Sequence, residues 1–241
     1  MIRLFHVSDV HFGAEDAAAV AWFDACVHTE QPDAIVMTGD LTMRAKRREF
    51  EAAARWLEGL KRPVTVEVGN HDLPLFNLFR RLFRPYHRYH RLERMIERPL
   101  DIAGVSIVPM KTTTRFQLRN WSKGSVSDGS LARAVAGLRA ADTDGLKIVA
   151  CHHPLIEAGT HATARTHGGR DALAALAAAG ADAVLSGHVH DPFDRTHREG
   201  DRSVRLIGAG TLSSRTRETR PSFNELRIKG RALEVIHRVM A

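Results

Sequence analysis

Five short apolar runs in this chain each stop at a cluster of polar residues that contains aspartate, asparagine or histidine. The runs are Ile2 to Ser8, Ala34 to Thr38, Val64 to Val68, Lys147 to Cys151 and Ala183 to Ser186. Their length and composition predict buried strands. Helical patterns lie between them, over Ala17 to Glu30, Arg47 to Leu60, Ser130 to Ala141 and Arg170 to Ala179. Strands that alternate with helices indicate a largely parallel sheet covered by helices, with ligands bound outside the carboxyl ends of its strands.

Further strand-like runs, joined by short loops, follow later in the chain. They are Ile102 to Met110, Arg202 to Ala209, Phe223 to Ile228 and Ala232 to Val239. We expect these runs to form a second sheet, so that two sheets are flanked by helices. The sequence contains no linker, internal repeat or low-complexity tract, which predicts a single domain over residues 1–241.

Composition limits the classes of protein to which the chain can belong. Its 241 residues are 44% hydrophobic and 26% charged, which suits a folded domain with a sizeable core. The formal charge of +7 favours phosphate-bearing partners without choosing among nucleotide, nucleic acid and lipid headgroup. The two cysteines, Cys26 and Cys151, have no framework spacing, and we expect a reduced, cytoplasmic setting. No signal peptide is expected, and no apolar stretch reaches the ~20 residues of a membrane span.

The segment from 73 to 98 differs in character from the rest of the chain. Its apolar residues follow helical spacing, and they are Leu75, Leu78, Phe79, Leu82 and Phe83. The arginines that intervene are Arg80, Arg81, Arg84, Arg88, Arg91, Arg94 and Arg98. We predict a basic helical insertion, and the charge pattern favours a packed helix pair with a solvated basic face. A cap over the site, a dimer surface and a nucleic-acid patch are the alternatives.

Each polar cluster combines metal-competent side chains with a glycine, a proline or a turn-prone residue. The clusters are Ser8-Asp9-Val10-His11, Thr38-Gly39-Asp40, Gly69-Asn70-His71-Asp72, Cys151-His152-His153-Pro154 and Ser186-Gly187-His188-Val189-His190. Carboxylate, amide and imidazole groups are all ligands of divalent transition metals. Seven candidate ligands result, and they are Asp9, His11, Asp40, Asn70, His152, His188 and His190. With Asp40 shared, they suffice for two ions with open positions for water and substrate.

The order and spacing of these clusters resemble the calcineurin-like metallophosphoesterases from Ile2 to about Thr211. Within that superfamily the chain looks most like the bacterial branch of class III cyclic nucleotide phosphodiesterases and glycerophosphodiesterases. The resemblance implies a four-layer αββα sandwich of two mixed sheets, an α/β (α+β) fold, with a dinuclear site on its rim. It assigns Asp9, His11, Asp40 and His190 to one ion and Asp40, Asn70, His152 and His188 to the other.

The expected mechanism follows from the two charges. Cations that share a bridging water lower its pKa, so that hydroxide forms without a protein base and attacks phosphorus in line. His71 is expected to protonate or hydrogen-bond the leaving oxygen, oriented by the Asp72 carboxylate. Asn70, His71 and His153 are the expected substrate contacts. Mn²⁺, Fe²⁺/Fe³⁺, Zn²⁺ and Co²⁺ all suit this mixed donor set.

Three functions compete for this sequence. The first is a metal-dependent hydrolase of cyclic nucleotides or small phosphodiesters. A nuclease that acts on DNA or RNA is the second, favoured by the basic insertion and the net charge. The third is a non-catalytic, partner-binding scaffold, which the retained ligands and the retained His71 disfavour. A homodimer is consistent with the apolar stripe from Leu75 to Phe83.

Overall fold

Helices and strands alternate through most of the chain in the computed structural model, which describes residues 1–75, 77–96, 100, 102–115, 120, 122–142, 144–164 and 166–241. The helices are α1 (Ala17–Glu30), α2 (Arg47–Gly59), α3 (Leu78–Phe83), α4 (His87–Ile96), α5 (Asp128–Ala140) and α6 (Gly169–Ala178). The strands are β1 (Ile2–Val7), β2 (Ala34–Met37), β3 (Val64–Val66), β4 (Val105–Pro109), β5 (Leu146–Ala150), β6 (Ala183–Ser186), β7 (Phe193–Glu199), β8 (Arg202–Gly208), β9 (Ser222–Lys229) and β10 (Ala232–Val239).

The strands form two mixed sheets of five. The first has the order β10-β9-β1-β2-β3, in which β1, β2 and β3 are parallel and β9 and β10 antiparallel to their neighbours. In the second, of order β4-β5-β6-β8-β7, only β7 is antiparallel to its neighbour. The register sets Leu4 opposite Ala34 in the first sheet and Ile148 opposite Ala183 in the second.

Two sequence predictions about sheet membership are wrong. The five runs that end at polar clusters are divided, with β1, β2 and β3 in the first sheet and β5 and β6 in the second. The hairpin of β9 and β10, expected in the second sheet, instead pairs with β1 of the first. It occupies the edge of β1 that β2 leaves free, and an unpaired edge of that kind would expose unsatisfied backbone groups.

Three apolar clusters show how the layers stack. Phe5 and Ile35 point out of the first sheet into a core with α1, α2 and α4, whereas Leu4 and Val36 point the other way. Those inner side chains meet Ile148 and other residues of the second sheet, whose outer face packs against α5 and α6. Both faces of each sheet are therefore covered, which explains the nearly continuous apolar runs of the parallel strands. The predicted four-layer αββα sandwich is confirmed.

Strand β7 is not predicted from the sequence. Its central residues are charged or polar, and most of them are exposed at the edge of the second sheet. Polar, charged edge strands protect a sheet from pairing with other chains, but they lack the alternating apolar signal by which a strand is recognised. An ion pair between Arg205 and Asp194, at 2.5 Å, joins β8 to this edge.

The insertion contains two short helices of different exposure. Helix α4 buries Tyr89, Leu92 and Ile96 in the core of the first sheet, and the Tyr89 hydroxyl donates to the Val66 carbonyl at 2.5 Å. Helix α3 instead exposes Phe79 and Phe83, at 71% and 68%. Positions 76 and 97–98 of the predicted segment lie outside the described residues. None of the helices that the structure describes has the length and apolar character needed to cross a membrane.

Candidate metal centre

The structure brings the five polar clusters together at one end of the two sheets. Each cluster follows the carboxyl end of its strand: β1, β2 and β3 supply one side, and β5 and β6 the other. The side chains that converge are Asp9, His11, Asp40, Asn70, His152, His188 and His190. Two sheets therefore contribute to a single buried cluster, whereas the sequence suggested that all the clusters lie at the edge of one sheet.

The backbone is left-handed at most of these positions. Asp9, His11, Asp40, His188 and His190 have φ between 52° and 72°, and they make up five of the eight non-glycine residues with positive φ in the described chain. A left-handed residue other than glycine costs about 1–2 kcal/mol, so such residues collect where surrounding structure enforces them. The bend after β1 turns Asp9 and His11, two positions apart, toward the same point.

One group of donors consists of Asp9, His11 and His190. His190 Nε2 lies 3.1 Å from Asp9 Oδ1 and 3.2 Å from His11 Nε2. His11 Nε2 also lies 3.6 Å from the same Asp9 oxygen. These atoms are close enough to one another to bind a single cation, since all of them lie within 4.8 Å.

A second group of donors surrounds His152. Its Nε2 lies 3.1 Å from Asn70 Oδ1 and 3.4 Å from Asp40 Oδ2, and its ring makes an edge contact with His188 at 5.3 Å between centroids. Asp40 Oδ2 is also 3.8 Å from His11 Nε2 of the first group. The Asp40 carboxylate therefore lies between the two groups, where one side chain can serve two ions.

Backbone carbonyls orient the imidazoles. His152 Nδ1 donates to the Thr38 carbonyl at 2.8 Å, and His190 Nδ1 donates to the Arg215 carbonyl at 2.7 Å. A carbonyl oxygen can only accept, so each ring carries a proton on Nδ1, and its Nε2 has a lone pair when the ring is in the neutral form that binds metal. Both lone pairs face the cluster, which is the arrangement that metal-binding histidines require.

The electrostatics of the cluster favour cations. Burial alone would raise the pKa of Asp9 and Asp40, but neighbouring imidazoles outweigh it and hold both pKa values well below the usual range. Burial lowers the pKa of His152, yet the Asp40 carboxylate more than compensates and raises it to about 9. For His188, burial and the neighbouring His152 lower the pKa to about 3. Two ionised carboxylates thus stabilise positive charge in a buried place.

Asp9 supplies a further test of whether these residues fit a metal ion. Its Oδ1 is completely buried and has no hydrogen-bond donor among the described residues, whereas its Oδ2 accepts from the His188 amide at 2.8 Å. A buried carboxylate oxygen without a donor is costly unless a cation or water pairs with it. Because inward-facing imidazole lone pairs surround that oxygen, the donor set fits divalent metal ions.

Two glycines allow the clusters to approach so closely. A Cβ added at Gly69 would collide with the backbone nitrogen and carboxylate of Asp40, and one added at Gly187 would collide with Ser8 and the Asp9 carboxylate. Neither position can take a larger residue unless the neighbouring carboxylate moves. Gly69 and Gly187 are therefore packing requirements of the site itself.

His71 lies at the border of the cluster, in edge contact with His11 at 4.8 Å between ring centroids. Its Nδ1 donates to the Met43 carbonyl at 2.8 Å, and its Nε2 lies 3.2 Å from Arg215 Nη1. Burial lowers the His71 pKa, and the Asp40 carboxylate opposes this shift only in part. In the neutral ring the proton is on Nδ1 and the Nε2 lone pair faces Arg215, so Nε2 must take up a proton before His71 can donate one to a leaving oxygen.

Asp72 has a different role from the one that the sequence suggested. Its carboxylate accepts four hydrogen bonds, from the amides of Leu41, Thr42 and Gly69 and from the Thr42 hydroxyl. The prediction that this carboxylate orients the His71 ring is wrong, since the Met43 carbonyl does so. Asp72 instead ties the loop after β2 to the loop after β3. Burial, with the nearby Asp40, raises its pKa to about 7.

His153 is buried beside the second group of donors, and both of its ring nitrogens are hydrogen-bonded. Nδ1 lies 3.0 Å from the Thr112 hydroxyl, and Nε2 donates to the Ser122 carbonyl at 3.1 Å. A contact with substrate would have to displace one of these bonds. Arg215 is not predicted as a site residue, because nothing in the local sequence distinguishes it from Arg217 and Arg220 nearby.

Comparisons with known proteins agree with this geometry. A family model described as calcineurin-like phosphoesterase matches residues 2–192. The glycerophosphodiester phosphodiesterase GpdQ of Enterobacter lignolyticus is 29% identical over 80 residues, a match that covers 29% of this chain and 29% of that protein. The match thus spans less than a third of that relative's length.

Solved structures share the fold at low sequence identity. A dimetal phosphatase from Danio rerio is 13% identical, with a TM-score of 0.69 over 100% of this chain and 99% of that one. The purple acid phosphatase PPD1 from yellow lupin, Lupinus luteus, is also 13% identical. Its TM-score is 0.73, and the match covers 99% of this chain and 51% of the lupin chain. At this identity the structural matches establish the architecture alone.

Proposed function

Because the chain belongs to the calcineurin-like phosphoesterase family, we propose that it is a metal-dependent phosphodiesterase whose residues 1–241 form one catalytic domain. Family membership supports hydrolysis of phosphoesters. That the substrates are phosphodiesters is the more specific part of the proposal. The proposed substrates are cyclic nucleotides or small phosphodiesters. The name of the GpdQ relative, a glycerophosphodiester phosphodiesterase, supports this choice.

The convergence of the two donor groups on Asp40 is the observation that carries the proposal. Asp9, His11, Asp40 and His190 would hold one ion, and Asp40, Asn70, His152 and His188 would hold the other. Bound ions of this kind acidify water and neutralise phosphate oxygens. Manganese, iron, zinc and cobalt all suit the mixed donors, and availability decides among them.

The chain's own residues would position the substrate around this centre. Arg215 directs its guanidinium toward His71 at 3.2 Å, which places a cation beside the centre for a non-bridging phosphate oxygen. We propose that His71, which lies next to Arg215, contacts the leaving oxygen. Asn70 contributes its amide to the same side of the substrate. Asp72, with its hydrogen bonds to two loops, is a positioning residue that holds His71 and Asn70 in place.

A hydrolysis assay with purified protein tests the proposal. The Mn²⁺-loaded protein is expected to hydrolyse bis(p-nitrophenyl) phosphate faster than p-nitrophenyl phosphate. Asp40→Ala removes the carboxylate between the two donor groups, so activity should fall by about 1,000-fold or more. Asp201→Ala changes an exposed aspartate in the turn between β7 and β8 and is the matched control.

Metal content decides the outcome independently of turnover. Wild type and Asp201→Ala should retain two equivalents of metal after gel filtration, and Asp40→Ala should retain fewer. Full activity in folded Asp40→Ala would refute the assignment. A preference for the monoester would leave the metal centre intact and overturn the choice of substrate class.

A nuclease is the second candidate, and the exposed arginines of the insertion favour it. Arg80, Arg84 and Arg91 are exposed, and the net charge is +7. Binding of single-stranded DNA that weakens steeply with salt, accompanied by cleavage, would support it.

The non-catalytic scaffold requires the opposite result, stable folding with neither metal binding nor turnover. A cytoplasmic location and a homodimer stay predictions.

A further inference from the structure

A cavity of about 420 Å³ lies between α2 and the two helices of the insertion. Its volume is within the range of small-molecule sites in proteins, roughly 300–1,000 Å³. Of the residues discussed at the metal centre, only Asp72 reaches its wall, and none of the seven candidate ligands lines it. The cavity is therefore a separate place in the fold, adjacent to the centre but not part of it.

Positive charge dominates the walls of this cavity. Its cationic lining residues are Arg47, Arg80, Arg84, Arg88 and Arg91. The carboxylates that line it already have partners, since Glu51 accepts from Arg47 at 2.7 Å and Asp72 accepts from backbone amides and Thr42. Among the described residues, no ion pair joins Arg80, Arg84 or Arg91 to a carboxylate.

Arg88 shows the electrostatic effect of placing these arginines close together. It is half-buried, and its guanidinium donates to the Ala45 carbonyl at 2.5 Å. Burial, followed by repulsion from Arg80 and Arg47, lowers its pKa. A partly desolvated cation that faces other cations is stabilised by an incoming anion, and guanidinium groups bind phosphate, sulfonate and carboxylate oxygens in pairs.

Apart from His87, the remaining wall is apolar. Phe50 and Ala54 of α2 and Leu92 and Met95 of α4 line the cavity, and Met95 is 46% exposed. An inorganic ion would leave this surface against water. A ligand with an apolar or aromatic body would cover it and place its anionic group among the arginines.

We propose that the cavity between α2 and α3–α4 binds a small organic anion, in which a phosphate, sulfonate or carboxylate group is joined to an apolar or aromatic body. Binding at this cavity requires neither metal ion nor phosphoester hydrolysis. The proposal therefore stands apart from the function proposed above.

Titration with 8-anilinonaphthalene-1-sulfonate, an anionic aromatic fluorophore, tests this on the metal-loaded full chain. Wild type should bind one equivalent with enhanced fluorescence, and non-fluorescent naphthalene-1-sulfonate should displace it. The double variant Arg84→Gln/Arg91→Gln removes two cations of the wall and should bind about tenfold or more weakly. Arg198→Gln/Arg202→Gln makes the same charge change on the exposed β7–β8 hairpin and should bind as wild type does.

Two further variants locate the probe. Phe79→Ser/Phe83→Ser removes the exposed aromatic pair of α3, which does not line the cavity, and should retain binding. Asp40→Ala, impaired in metal binding, should also retain it. Unchanged affinity in the Arg84/Arg91 variant would overturn the proposal. An equal loss in the hairpin control, or a loss that follows Phe79/Phe83 or Asp40, would overturn it as well. Near-ultraviolet circular dichroism verifies that each variant is folded.

Discussion

At the candidate metal centre two carboxylates lie among imidazoles, whereas the arginine-lined cavity gathers cations whose neighbouring carboxylates are already paired. The centre stands on the ends of buried strands, and its backbone is left-handed at five ligand positions. The cavity is formed mainly by helices, and four of its five arginines are exposed. Rigid strand ends thus hold a geometry that a metal ion requires, while flexible guanidinium groups suit ligands of less definite shape.

Replacing Gly69 should produce the largest effect on the rigid region. In Gly69→Ala the new Cβ collides with Asp40, so the carboxylate between the two donor groups must shift. We expect kcat/KM to fall by about 100-fold or more, and the free energy of unfolding to fall by about 1–3 kcal/mol. Metal analysis, diester hydrolysis and urea denaturation measure the three consequences.

Gly59→Ala is the matched control for this change. A Cβ at Gly59, near the end of α2, meets nothing within 4 Å. In a helix, alanine is more stable than glycine by about 0.5–1 kcal/mol, so the control should be slightly stabilised and fully active. Equal behaviour of the two alanine variants would contradict the claim that close approach at Gly69 shapes the centre.

Removing the His71 ring should have the next largest effect. His71→Ala is expected to lower kcat about 100-fold for a diester with an alkoxide leaving group, and less for bis(p-nitrophenyl) phosphate, whose leaving group needs no proton. Steady-state kinetics on both substrates measure the difference. His90→Ala, an exposed histidine of α4 that pairs with Glu93, is the control. An equal loss on both diesters would mean that His71 holds the phosphate instead.

Acid should weaken the fold through His6, which is fully buried beneath the centre. Its Nδ1 accepts from the Asn224 amide and its Nε2 donates to the Thr38 hydroxyl at 3.0 Å, while burial lowers its pKa to about 3. In the unfolded chain the pKa of His6 is about 6.5. As the pH falls, the unfolded state therefore takes up a proton at His6 before the folded state does. Stability from this group is complete above about pH 6.5 and is lost toward pH 3, by about 1.4 kcal/mol per pH unit.

Urea denaturation of the metal-free protein between about pH 7 and pH 5 measures this slope. In His6→Gln the amide can replace one hydrogen bond of the ring but cannot bind the proton. The variant should be less stable at pH 7, and its stability should fall less steeply than that of wild type as the pH decreases. Parallel curves for the two proteins would show that His6 does not contribute to the acid sensitivity.

The strands that present the centre could be predicted because a parallel strand buried on both faces is a continuous apolar run, as at Ala34–Met37. Sheet membership could not be predicted, because it depends on which distant strand covers a free edge, as β9 does for β1. The acceptors for His71 and His152 were also hidden from the sequence, since a backbone carbonyl belongs to every residue alike. Arg215 reaches His71 across 144 positions, and no local pattern indicates that contact.

Salt should have the smallest effect, and it acts on the cavity. Cations that repel one another at the surface are screened as ionic strength rises, within a Debye length of about 10 Å at 0.1 M. Raising NaCl from about 50 to 500 mM should therefore stabilise wild type by about 0.5 kcal/mol, or roughly 1–2 °C in Tm. Arg84→Gln/Arg91→Gln should lose most of this gain, because fewer like charges remain to be screened.

The control again separates the cavity from the whole surface. Arg198→Gln/Arg202→Gln lowers the net charge of +7 by the same amount but leaves the cavity intact. If local repulsion between arginines is responsible, the hairpin variant keeps the salt response of wild type in thermal scans. If both variants lose it equally, the response belongs to the net charge of the molecule, and the contrast between a compensated centre and an uncompensated cavity has no energetic consequence.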